Sequence, residues 1–296
     1  MTMFFRRLII AGLGLLGGLA VWPAMQLLLS GQTSFSSFLL FSLVSGAVFG
    51  LLFGAFFSSG AGIIARRLDR LFIGMGIGAL VGAAGGAVGF LIAQRVFLFF
   101  GERLALADGQ LQAVGLPVSR ALGWAVLGTF IGTAEGLRIL SWRKIVTGIV
   151  GGFLGGLFGG AVLELLRGLF PGAGLASFIG LVIVGLAIGG AYSIIERRMS
   201  YGILRILNGK HKGKEFILNN DRILIGSGKR CHVLLPDYKD IDTVHAIITA
   251  SKRELTIQPE IAGGTITVND ESLSERLLKY EDVLKIGTAK LLYKHE

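Results

Sequence analysis

The chain has 296 residues, 52% of them hydrophobic, with a formal net charge of +10 and a mean hydropathy of +0.69. Such hydropathy excludes a protein that is soluble throughout, because the apolar residues concentrate before position 200 in runs of about 20, enough to cross a bilayer's hydrocarbon. The charge excess does not indicate nucleic acid: residues 1–200 hold 14 Lys/Arg against 6 Asp/Glu, whereas residues 201–296 hold 15 against 13.

In chain order, Arg6 and Arg7 precede a first apolar run at about 8–29, which reads as an uncleaved helix rather than a signal peptide. Further spans follow at about 38–64, 71–97, 121–140, 145–166 and 175–195. The outer loop at 101–120 is mildly amphipathic through Leu104, Leu106, Leu111, Val114 and Leu116, a pattern suited to the membrane surface. With a cytoplasmic N-terminus, the inner side receives Arg6, Arg7, Arg66, Arg67, Arg70, Arg138, Arg143, Lys144, Arg197 and Arg198. The outer side receives only Arg95, Arg103, Arg120 and Arg167. The positive-inside bias therefore predicts a multi-pass protein of the cell membrane with both termini cytoplasmic.

Glycine recurs every fourth residue at Gly74, Gly78, Gly82 and Gly86, and again 74 positions later at Gly148, Gly152, Gly156 and Gly160. On a helix this spacing makes a single column on one face. Gly54 and Gly62 map onto Gly128 and Gly136 at the same offset, and Gly185–Gly189 resembles Gly128–Gly132. The expectation is an all-α six-helix bundle of three tandem hairpins. Lipid offers helices no hydrophobic drive to associate, so small residues that admit close backbone approach must supply it. The columns, with Gly46, Gly50 and Gly54, read as helix packing; a pore or an oligomer interface is the rival, and the oligomeric state stays open. Glu135 precedes Arg138, and Glu164 precedes Arg167, by three positions, a spacing that lets each pair meet on its own helix. No His, Asp or Lys lies deep in a span, which argues against a proton relay.

From Tyr201 the apolar period falls to two. Short strands are expected at 202–207, 214–218, 222–225, 233–235, 246–249, 254–258, 265–268, 283–286 and 290–293, separated by turn signals such as Asn208-Gly209 and Asn269-Asp270. Many short strands at such spacing indicate an all-β sandwich. Residues 201–296 thus form a second domain after a membrane domain of residues 1–200.

Within it run, in order, Ile225-Gly226, Cys231, Leu235-Pro236-Asp237, Val244-His245-Ala246, Tyr280-Glu281-Asp282 and Ile286-Gly287. This series resembles the forkhead-associated (FHA) domain over residues 202–294. The resemblance implies an eleven-stranded sandwich that binds phosphothreonine peptides through loops at one end. The equivalent positions here are Gly226, Ser227, Lys229, Arg230, Asp242, Thr243, His245, Gly264 and Asn269. Ser227 stands where the family has an Arg, Asp242 where it has a phosphate-binding Ser, and Gly264 about where it has an Asn. His245 and Asn269 match residues that are chiefly structural in the family. Asp242 brings a negative charge to the phosphate position in place of a donor, while Lys229, Arg230 and Lys239 lie in the same loops as substitute cations.

The histidines and Cys231 lack metal-ligand spacing, one cysteine excludes an intrachain disulfide, and no nucleophile–base pair or cofactor motif is present. The expectation is a non-enzymatic membrane protein whose FHA-like module engages a protein partner, as a signalling or assembly scaffold. The alternative is a transporter or channel component regulated by that module.

Overall fold

Between residues 3 and 200 the sequence offers long stretches of Leu, Ile, Val, Phe and Gly, broken only where charges, Ser or Pro gather. The computed structural model describes residues 3–65, 67–102, 110–170, 174–251, 254–260, 266–273 and 275–294. Arg66, Arg103, Gly263, Gly264 and the 103–109 part of the outer loop lie outside them. The chain divides into two compact units, one of Arg6–Glu196 and the other of Arg197–Glu296 together with Met1–Phe5.

Among the described residues six long α-helices make the first unit: α1 (Met3–Ser30), α2 (Phe38–Ala65), α3 (Leu68–Glu102), α4 (Leu116–Ile139), α5 (Trp142–Leu169) and α6 (Gly174–Arg198). Each includes a stretch long and apolar enough to cross a membrane. α4 starts five residues before the expected position, because Pro117 sits in its first turn, where a fixed φ and a missing N–H cost nothing. A π-helical turn, Leu111–Gly115, leads into it. The later part of the amphipathic 101–120 stretch is therefore helical. Leu140 closes α4 in the left-handed region, its N–H reaching the carbonyls of Gly136 and Leu137.

The glycine columns lie where helices come closest. Gly46, Gly50 and Gly54 of α2 face Gly86, Gly82 and Gly78 of α3, and a Cβ on any of these six would fall less than 3.0 Å from a carbonyl of the partner helix. Gly74 faces Ser58. On α5, Gly148, Gly152 and Gly156 face the carbonyls of Gly132, Gly128 and Trp124 of α4 in the same way, and Gly160 packs on the Trp124 side chain. The two seams match in detail: Gly54 against Gly78 and Gly62 against Leu71 become Gly128 against Gly152 and Gly136 against Ile145, each 74 positions on. A third seam pairs α6 with α1, through Gly185 against Gly14, Leu181 against Gly18 and Gly189 against Ile10. The tightest packing thus joins α2 to α3, α4 to α5 and α6 to α1, so the helix ending one expected hairpin packs on the helix opening another. A second column on α5, Gly151, Gly155 and Gly159, meets Tyr192, Ile188 and Val184 of α6.

The middle of the bundle is filled. Val21, Phe49, Phe53, Trp124, Leu127, Leu163, Leu181, Val184 and Ile188 form one buried cluster, with the Phe49 and Phe90 rings edge-to-face at 5.6 Å. Both expected helix-face pairs form, Arg138 to Glu135 at 2.7 Å and Arg167 to Glu164 at 2.9 Å. The buried Glu164 also accepts from Arg120 of α4 at 3.0 Å. The buried Glu196 of α6 accepts from Arg6 of α1 at 2.6 Å. Removing a carboxylate from water is costly unless it is paired and hydrogen-bonded, and in both cases a second helix provides the cation.

Among the described residues the second unit has eleven strands: β1 (Ile203–Ile206), β2 (Glu215–Ile217), β3 (Arg222–Gly226), β4 (Val233–Leu234), β5 (Ala246–Ser251), β6 (Glu254–Pro259), β7 (Ile266–Val268), β8 (Glu271–Leu273), β9 (Arg276–Leu277), β10 (Val283–Ile286) and β11 (Ala289–Lys294). One sheet has the order β2-β1-β11-β10-β7-β8 and the other β4-β3-β5-β6-β9. Nine strands match the alternation in the sequence; β8 and β9 fall in the polar stretch 269–276, where there is no apolar alternation to read. Leu204, Ile206, Ile225, Leu235, Ile248, Val268, Leu284 and Leu291 are buried between the sheets.

The seams make a test at single-methyl resolution. Gly50→Ala or Gly152→Ala forces the facing backbone apart and is expected to destabilise the bundle by about 1–3 kcal/mol or more. Gly12→Ala and Gly168→Ala, where an added Cβ meets nothing within 4 Å, should leave the thermal midpoint in detergent unchanged.

Candidate functional site

Strand register brings the candidate loops together. Ile225 of β3 lies opposite Ala246 of β5, so the chain leaving β3 and the chain arriving at β5 share one end of the sandwich. β4 runs parallel to β3, which folds residues 227–232 back over that end.

The two loops are laced by backbone bonds. Ser227 N–H donates to Asp242 O and Gly228 N–H to Thr243 O, both at 2.9 Å. Side chains on Gly226 or Gly228 would collide with Thr243, which explains glycine at both positions. The Ser227 hydroxyl points inward, to Asp242 O at 3.0 Å and Ile241 O at 3.2 Å. The buried Cys231 thiol faces Thr243 O at 3.1 Å. His245 is clamped by its N–H to Ile225 O, while its Nδ1 accepts the Asp242 N–H at 3.4 Å and lies 3.3 Å from the Asp242 carboxylate.

A third loop joins this end through the β10–β11 turn. Lys239 N–H donates to Thr288 Oγ1 at 3.0 Å, and Thr288 N–H returns to Lys239 O. Asn208 bridges the set, its amide donating to Thr288 O at 2.8 Å, its Oδ1 accepting from Lys290 N–H and its carbonyl accepting the Tyr238 hydroxyl at 2.7 Å. The Asp237 carboxylate is held below the usual carboxylate range, first by the His211 hydrogen bond and then by the charge of Lys210.

Gly226, Ser227, Lys229, Arg230, Asp242, Thr243 and His245 are therefore brought together. Asn269 is not. β7 runs antiparallel to β10, with Val268 opposite Leu284, so Asn269 lies beside Val283 at the start of β10 whereas the loop cluster adjoins its end. Asn269 is a brace: Oδ1 accepts Val283 N–H at 2.8 Å and Nδ2 donates to the buried Asp282 at 2.7 Å. Gly264 lies outside the described residues. Asn208 and Thr288 join Cys231 of the motif series as loop braces; the Asn208-Gly209 turn signal points to the first, and nothing in the sequence pattern points to Thr288.

Ser227 spends its hydroxyl and its N–H on carbonyls inside the loop pair, and the exposed Asp242 carboxylate repels an anion. Exposed Lys229, Arg230 and Lys239 provide positive charge nearby.

Residues 205–296 match the family model described as the inner membrane component of T3SS, cytoplasmic domain. The C-terminal domain is FHA-like. Similar solved structures include an FHA domain from work on phosphothreonine-dependent interactions, at 21% identity over 32% of this chain and 95% of that one, with a TM-score of 0.29. The FHA domain of FhaA, solved with the intracellular domain of Rv3910, is similar at 21% identity over 31% and 98%, also at 0.29. The FHA domain of a Chlamydia trachomatis protein is similar at 21% identity over 32% and 96%, again at 0.29. No curated protein matches the chain.

Two outcomes follow for this domain. Asn269→Ala leaves Asp282 buried with one donor fewer and should cost about 1–3 kcal/mol, read as a lower thermal midpoint, with no change in ligand binding at the loop end. Burial pushes the Cys231 thiol up from its ordinary value, so the folded state prefers the neutral thiol. Stability from this group is intact below the unfolded thiol's pKa of about 8.5 and falls as pH rises through the folded value. Alkylation of native protein at neutral pH should accordingly be slow and should accelerate on unfolding.

Proposed function

We propose that this chain is a membrane scaffold whose FHA-like domain sits in the cytoplasm and engages a protein partner without requiring phosphothreonine. The observation that carries this reading is the inward commitment of Ser227 beside the exposed Asp242. A loop end that has lost both anion donors still offers a rigid, backbone-laced surface ringed by Lys229, Arg230 and Lys239. The family description and the distribution of Lys and Arg between loops support a cytoplasmic placement of both termini.

Packing in the bundle supports an anchor over a conduit. Aromatic and aliphatic side chains fill its centre, and the buried carboxylates Glu164 and Glu196 are each held by arginine. The matched seams also support reading the membrane domain as a threefold internal repeat, closed by α6 on α1 within one chain. A regulated transporter would need a polar path through that centre.

The test is a phosphothreonine peptide library titrated against the full-length protein in detergent. The expected result is no binding that depends on phosphate. Restoring the family's donors with Ser227→Arg and Asp242→Ser should raise phosphopeptide affinity by about tenfold or more, since each new contact is charge-assisted. Tight binding by the unaltered protein, lost on phosphatase treatment, would overturn the reading.

A further inference from the structure

The six-stranded sheet has an outer face that the loop-end reading leaves unused. Leu204, Ile206, Leu284, Ile286, Leu291 and Tyr293 point into the core, so the alternation of a strand puts Arg205, Lys285 and Lys290 on the opposite side, and all three are exposed. Lys285 lies directly opposite Lys290, an arrangement of like charges that disfavours the sheet. Arg205 lies opposite Leu292, which in turn lies opposite Val283, so half-buried apolar side chains accompany the cations. Glu215, which the register sets opposite Arg205, bonds Lys294 at 3.2 Å. Among the described residues no acidic group pairs with Arg205, Lys285 or Lys290. The other sheet differs: its outer face carries Arg222 at 4.0 Å from Glu260, with Thr249, Thr256 and Gln258 around it.

We infer that the outer face of the six-stranded sheet docks on anionic phospholipid headgroups, with Arg205, Lys285 and Lys290 taking phosphate oxygens. Two observations select lipid over an acidic protein. The cations lie on three neighbouring strands beside the half-buried Leu292 and Val283, a mixture that suits the boundary between headgroups and acyl chains. α6 ends at Arg198 and β1 starts at Ile203, and four intervening residues span at most about 14 Å. Chain length alone therefore keeps β1 near a headgroup layer, provided that α6 spans the membrane as the reading above holds.

The experiment uses the full-length protein in nanodiscs, with Cys231→Ser and Thr267→Cys placing a fluorophore on this face and a quencher in the lipid headgroups. Quenching is expected in discs containing phosphatidylglycerol and not in pure phosphatidylcholine, and it should weaken with added salt. Each cation near an anionic surface contributes about fivefold, so Arg205→Gln, Lys285→Gln and Lys290→Gln together should lower the docked-to-undocked ratio about a hundredfold. Neutralising opposed lysines relieves repulsion, so an unchanged or higher thermal midpoint shows that the fold survives. Arg222→Gln on the other sheet should quench like the parent. Equal quenching in both lipids, or none lost in the triple variant, overturns the inference, as does a triple variant that releases an acidic protein while lipid quenching stays the same. Both leaflets of a disc are alike, so the result is independent of cellular orientation, which protease protection reports separately. A chain that failed to co-purify with discs would instead refute the membrane reading.

Discussion

Close approach of bare backbones governs the membrane half of this protein. Hydrocarbon is as apolar as any leucine, so helices gain nothing by hiding apolar surface from it, and association must come from dispersion contacts made at short range. Gly50 against Gly82 and Gly128 against Gly152 allow carbonyls to sit where a methyl group would otherwise be. Once those seams are set, the larger side chains have fixed places to go. Phe49, Phe53 and Trp124 fill the centre because the glycines push bulk to the other helix faces.

The same economy appears in how charge is handled. Glu164 and Glu196 are buried, and each is answered by an arginine from a neighbouring helix as well as by its local surroundings. Such pairs are weak evidence of stability in themselves, but losing one partner leaves an uncompensated charge. They act as constraints on which helices can be neighbours, α4 with α5 and α1 with α6, and these are two of the three pairs that the glycine seams select. Two independent kinds of contact thus specify one arrangement.

In the FHA-like domain, the loop end is held by the main chain. The loops at one end are laced by main-chain hydrogen bonds through Asp242 and Thr243 and tied to the β10–β11 turn by Asn208 and Thr288. Such a framework holds a surface still whatever side chains it displays. Ser227 serves the framework and Asp242 faces solvent. The cations that remain lie partly around this end and partly on the outer face of the larger sheet.

Sequence alone determined the two-part architecture, the six spans, nine of the eleven strands and the FHA resemblance. Each of these rests on local periodicity or on a short ordered motif, and the number of such signals is large. It also exposed the 74-residue offset between the glycine columns, because a column needs only spacing to be seen. Tertiary structure decided which column meets which. The partner of Gly14 is Gly185, 171 positions away, and nothing in a helical period encodes so distant a pairing. It likewise moved Asn269 to the far end of β10, since motif order places residues along a chain while strand register places them in space. The inward turn of the Ser227 hydroxyl is of the same kind. Its residue type was legible, but the carbonyls that claim it come from a loop 14 residues on and were brought there only by β3 pairing with β5.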